Sequence, residues 1–151
     1  MNQEFTIQQI ADAAQLTRYQ VEAWISRGHF KPDNPVEAGK ARKYTYHDAL
    51  KLGVLAEFSR LGLSPTIASM HTAHLFGYHD ADSLLVICQG PVRVSETMEV
   101  VDEDGEIDHT FGRITRPTEL WRVVEDPDVR SFAAINLGHT ERRVKKTLGI
   151  I

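Results

Sequence analysis

Four polar residues, Arg18, Tyr19, Gln20 and Glu22, crowd the opening turn of the segment LTRYQVEAWISRGHFKP at 16–32. Further along, Lys40, Arg42 and Lys43 fall within four residues and Tyr44 follows them. These residue types suit recognition of a nucleic acid. An arginine can bond two acceptors of a guanine, a glutamine facing a groove can do the same with an adenine, and a carboxylate can accept from a cytosine. Lysine and arginine neutralise phosphates, which positions a surface without reading sequence. Glu22 opposes that attraction, because its charge repels phosphate.

Other constellations carry less chemistry. His71 and His74 stand one helical turn apart, with His79 and Asp80 just beyond, and imidazoles at that spacing can share a zinc ion. Without a cysteine pair, solvent-facing or structurally satisfied histidines are the favoured reading, and no metal is expected. Cys88 lies within the apolar run SLLVICQ, so a buried inert thiol is expected. The acidic stretch Glu103–Asp108 contains the Asp-Gly pair of a hairpin turn and lacks EF-hand spacing. No nucleotide-binding glycine loop and no recognisable nucleophile, histidine and acid arrangement occurs, so nothing argues for an enzyme and no cofactor is expected.

The elements that must position these residues follow from caps and periodicity. Thr6, with Gln9 three residues on, opens a helix whose Ile7, Ile10, Ala11 and Ala14 share one face. Thr17 caps a second helix, with Val21, Trp24 and Ile25 inward and Arg18, Tyr19, Glu22 and Ser26 outward; Gly28 and Pro32 end it. Trp24 is therefore read as core. Two short helices with so brief a joint form a helix-turn-helix. Asp33, Asn34, Pro35 and Gly39 then break helix, and Gly39 between short extended pieces suggests a hairpin with a basic tip at Lys40–Lys43. Thr45 opens a third helix through Leu50, Val54, Leu55, Phe58 and Leu61 to Gly62. Ser64-Pro65 restarts a fourth through Ile67, Met70, Ala73 and Leu75 to Gly77.

From Tyr78 the pattern turns to short strands: SLLVICQ, VRVSETMEVV, IDHTFGRI after a DEDGE turn, ELWRVV, and VRSFAAINLG. The tail TERRVKKTLGII reads as a short basic helix with Val144, Leu148 and Ile151 on one side. The expected fold class is thus α+β, divided at 1–77 and 78–151.

Composition sets the frame. The chain has 151 residues, 42% apolar and 25% charged, which is a globular composition and not a disordered one. No apolar run approaches the roughly 20 residues of a membrane helix, no secretory signal pattern opens the chain, and one cysteine fits a reducing cytoplasm. The net charge of −4 is unevenly spread. Residues 1–77 hold 8 Lys/Arg and 7 Asp/Glu, against 9 and 14 in residues 78–151. Attraction to phosphate follows the local patch more than the sum.

The ordered features of FTIQQIADAAQLTRYQVEAWISRGHFKP, followed by GKARKYTYHDALKLGVLAEFSRLGLSP, resemble the MerR-type (mercury-resistance-regulator-like) winged-helix proteins, a module similar in fold to phage excisionases. The resemblance covers the first half only. It implies a second helix that enters the major groove and a wing on the neighbouring phosphates. It places Arg18, Tyr19 and Glu22 toward DNA, with Arg42 and Tyr44 on the wing. Past Gly77 the heptads of that family's usual coiled coil are missing, and there is one cysteine where its metal-sensing members place several.

The expectation is a double-stranded DNA-binding transcription regulator of bacterial or phage type, using Thr17, Arg18, Tyr19, Gln20, Glu22, Lys40, Arg42, Lys43 and Tyr44. The β-rich second half would dimerise the protein, bind an effector, or dock a partner such as RNA polymerase. A homodimer is favoured because two copies double the contacts. Val144, Leu148 and Ile151 would serve that contact or pack back on their own sheet. The alternatives are an excisionase-like DNA-bending protein and a protein-interaction module, the latter favoured by Glu22 and the overall acidity.

Overall fold

A computed structural model of the protein describes residues 3–72, 81–91 and 109–150. The expected second strand, the DEDGE turn, the 77/78 boundary, His74, His79, Asp80 and Ile151 lie outside the described residues, as does the expected fourth helix beyond 72.

The architecture is mixed α and β, a helix-turn-helix region followed by an antiparallel sheet and a C-terminal helix. β1 (Glu4–Phe5) pairs antiparallel with β2 (Tyr44–Thr45), which brings the buried rings of Phe5 and Tyr44 opposite each other. Between them come α1 (Ile7–Ala14) and α2 (Arg18–Ser26); α3 (Tyr46–Arg60) and α4 (Pro65–Met70) follow. Threonine opens α1, α2 and α3, and each makes a reciprocal capping box with the residue three positions on: Gln9, Gln20 and Asp48. Ser64 and Pro65 start α4 as expected. Each box satisfies two backbone donors that a helix start leaves orphaned.

The hairpin expected around Gly39 is not a ladder. Gly39 sits at φ +75° in a turn, but 36–43 has no strand pairing of its own. Pro35 has no N–H to offer, and side chains bond the backbone instead. Asn34 Nδ2 donates to the Lys43 carbonyl at 2.9 Å and Arg42 Nε to the Asn34 carbonyl at 3.0 Å.

In the second half β3 (Leu84–Gly90) runs between β4 (His109–Thr115) and β5 (Ser131–Asn136), antiparallel to both. It is buried on two faces, which explains its continuous apolar run. Leu85 and Ile87 join the main core with α1 and α3, while Val86 and Cys88 pack with Val123 beneath the other face. The segment ELWRVV, expected as a strand, is instead a 3-10 turn (Pro117–Glu119) and the helix α5 (Trp121–Glu125). Helical spacing lets Leu120 and Val123 both reach the sheet, whereas a strand would send them to opposite sides.

The C-terminal helix is present as α6 (Leu137–Leu148) and starts earlier than expected, because Asn136 caps it by accepting from His139 N–H at 3.1 Å. Its apolar side returns to the first half. Val144 and Leu148 lie in the main core, which α1 and α3 share with Leu85, Ile87 and Ile135 of the sheet, and not at a free surface. At Gly53 in α3 an added Cβ would come within 3.1 Å of Val144 Cγ2 and 3.3 Å of Thr140 Cγ2, so the two helices cross closely there. Arg143 Nη2 completes the contact at 2.7 Å from Glu57 Oε1.

Candidate nucleic-acid interface

The α1–α2 joint is built by backbone geometry and one arginine. Gln15 takes the left-handed conformation at φ 57° that ends α1. Arg60 Nη2, from α3, donates to the carbonyls of Ala14 at 2.8 Å and Gln15 at 2.9 Å, satisfying acceptors at the helix end. Thr17 follows at once and caps α2. Val21 and Trp24 are buried, so the helix can only present its other side, and Tyr19 stands 79% exposed.

Within that exposed turn the side chains are not equally available. Gln20 Oε1 accepts from both Thr17 N–H (2.9 Å) and Thr17 Oγ1 (3.2 Å), so its carboxamide oxygen is taken up by the cap. Arg18 Nε donates to Glu22 Oε1 at 2.9 Å. On the loop after α2, Lys40 pairs with Glu37 at 3.4 Å, Arg42 bonds Asn34, and the Lys43 side chain is exposed.

The two groups meet in one place. Arg18 and Glu22 from α2, with Arg42, Lys43 and Tyr44 from the loop, line an open groove of about 670 Å³ that Thr6 at the start of α1 also borders. Thr17, Tyr19 and Gln20 stand outside this lining, and Lys40 borders a neighbouring hollow with Arg42 and Glu4. Tyr44 is only 4% exposed, at the groove floor, and its packing opposite Phe5 leaves its ring as support for the loop. Burial pushes its phenol above the ordinary range; Arg42 opposes that, Asp48 and Glu22 add to it, and Arg18 opposes it again.

The loop is anchored from below by residues that sequence reasoning missed. Asp48 is fully buried and accepts from Asp33 N–H (2.9 Å) and Thr45 N–H (3.0 Å). Asp33 in turn accepts from Thr45 Oγ1 (2.8 Å), and Lys51 Nζ lies 3.1 Å away. Burial raises the Asp33 carboxyl, but hydrogen bonds from Thr45, Lys51 and His47 outweigh it and hold the group below the usual range. The signal for this clamp was the Thr45/Asp48 capping-box spacing; the sequence reading opened the helix on Thr45 alone.

His71 is buried and its Nε2 lies 3.1 Å from Thr110 Oγ1, a contact between the end of α4 and the sheet. Among the described residues no cluster of histidine, cysteine and carboxylate side chains is arranged for a metal. Cys88 is buried and its thiol pushed up by that burial.

Two short capped helices, joined by a closed turn and flanked by an anchored basic loop, define a helix-turn-helix domain. Residues 5–74, just under half of the chain, match the family model described as MerR HTH family regulatory protein, so this part of the chain is similar to the helix-turn-helix domain of that DNA-binding regulatory family. No curated protein matches the chain. No helix among the described residues is long and apolar enough to cross a membrane.

Proposed function

We propose that the protein is a sequence-specific double-stranded DNA-binding transcription regulator that acts in the cytoplasm of a bacterium or the host of a phage. The opening turn of α2 enters the major groove and the 31–43 loop serves as the wing on adjacent phosphates. The observation that carries this reading is the shared groove: Arg18 and Glu22 on one wall, Arg42 and Lys43 on the other. Base-reading and phosphate-binding groups are thereby presented together, as a reader of duplex DNA needs. Residues 1–77 form the reading unit. Residues 78–151 brace it through α6 and supply the contact with a second copy or with a partner such as RNA polymerase. The dimer contact lies away from Val144 and Leu148, which the chain's own core occupies.

The test is binding of the full chain to duplexes recovered from a random pool. Arg42→Ala weakens binding by a similar factor on every sequence and flattens the salt dependence by about one unit of slope. Arg18→Ala costs about 1–3 kcal/mol on the selected site and relaxes the preference at one base pair. Unchanged binding of both variants to every duplex would leave the interaction-module reading in its place.

A further inference from the structure

Glu22 is out of place on a phosphate-facing surface unless it does something besides repel. Its contribution to folding is slight, because its ion pair with Arg18 is half-exposed, at 61% and 50% for the two side chains. The order is also the less favourable one for a helix, with the cation N-terminal to the anion. What the pair does fix is the direction of the guanidinium. Glu22 Oε1 engages Nε at 2.9 Å, and the two Nη groups make no hydrogen bond among the described residues. A guanidinium held by its Nε edge presents its two terminal nitrogens as a planar fork, the geometry that matches O6 and N7 of guanine.

The neighbouring residues sharpen the assignment. With its oxygen taken by Thr17, Gln20 cannot both accept from and donate to an adenine without giving up the cap. Arg18 is left as the residue of this turn able to make a two-point base contact. An unrestrained arginine loses much rotamer freedom on binding, and one already held loses less. We propose that Glu22 is a positioning residue for Arg18, orienting it to read one guanine end-on, and that it gives up some general DNA affinity to do so. This assignment rests on the DNA-binding reading above.

The experiment uses the full chain. The wild type first selects its site from a random duplex pool; binding is then measured at one salt concentration on that site and on its single base-pair variants, for wild type, Arg18→Ala, Glu22→Ala and Glu22→Gln. Arg18→Ala erases the preference for one G·C pair. Glu22→Ala reduces discrimination at that same pair by about tenfold while binding unrelated duplexes more tightly. Glu22→Gln keeps an acceptor oxygen for Arg18 Nε, so it shares the gain on unrelated duplexes and retains most of the discrimination. Undiminished discrimination in Glu22→Ala overturns the assignment, and so does a loss at a different base pair, which would make Glu22 a base reader itself. If the wild type binds and Arg42→Ala weakens it evenly, such a result strikes the Glu22 assignment alone; a wild type that recovers no duplex removes the DNA-binding reading and this assignment with it.

Discussion

The helices of the first half and those of the second begin for different reasons. α1, α2 and α3 each start on a threonine whose side chain closes a reciprocal box, and α4 starts on Ser64 before Pro65. α5 has no side-chain cap at all. It is helical because Leu120 and Val123 reach the Val86 and Cys88 face of the sheet together, while Trp121 and Val124 stay exposed. The difference separates elements written into a few adjacent residues from elements that exist only once a distant surface is in place. α6 joins the two classes, since Asn136 caps it locally but its apolar side is buried against α1 and α3.

The sharpest way to break the comparison is to ask whether the first half stands without the second. Val144→Asp places an unpartnered carboxylate in the core shared by α1, α3 and α6, at a cost of about 4 kcal/mol or more. The protein has two tryptophans, Trp24 in α2 and Trp121 in α5. Fluorine NMR on 5-fluorotryptophan-labelled protein therefore follows each half separately through urea denaturation. The expected outcome is that both resonances shift to lower urea together. A Trp24 transition left where it was would mean that the helix-turn-helix is independent of α6.

How much of this was legible in the sequence follows the same division. The starts of the capped helices were legible because Thr6 with Gln9, Thr17, Thr45 and the Ser64-Pro65 pair are local signals; that Gln20 closes the box with Thr17 was not. The strands around Leu84–Gly90 and Ser131–Asn136 were legible as apolar or β-branched runs. ELWRVV was not, since Val123 and Val124 favour a strand in isolation and only the sheet decides otherwise. That α1 and α3 join the sheet in covering Val144 and Leu148 was equally hidden, for a helix face does not say which surfaces will cover it. At the candidate interface the residue types were legible, but not their states. That Lys40 is paired with Glu37, that Gln20 is spent on a cap and that Tyr44 is buried all depend on placement.

A second test sharpens the contrast between packed and capped helices. Val123→Ala removes two methyl groups from a fully buried side chain and is expected to cost about 2 kcal/mol. It should loosen α5 before the rest, read as faster amide exchange over 121–125. Thr17→Ala removes the α2 cap and is expected to cost about 1 kcal/mol. Its second consequence has no counterpart in α5. Gln20 is released from the cap and the turn that carries Arg18 frays, so affinity for the selected duplex falls further than the loss of stability requires.

The smallest expected effect compares two carboxylates, one in each half. Asp33 is held below the ordinary range by Thr45, Lys51 and His47 against the opposing effect of burial, and Asp126 by the Asp128 N–H and Arg113. A group whose folded pKa lies below its unfolded value, about 3.9 for aspartate, adds stability that is complete above that unfolded value. The contribution is lost as pH falls through the lower, folded value. Asp33→Asn and Asp126→Asn should each be less stable than wild type at pH 7, and the deficits should shrink as the pH falls from the unfolded value through the lower, folded one. Because α6 ties the halves into one core, either substitution should move the Trp24 and Trp121 transitions by the same amount. An Asp126→Asn effect confined to Trp121 would show instead that the sheet and the helix-turn-helix unfold as separate units, whatever the shared burial of Val144 suggests.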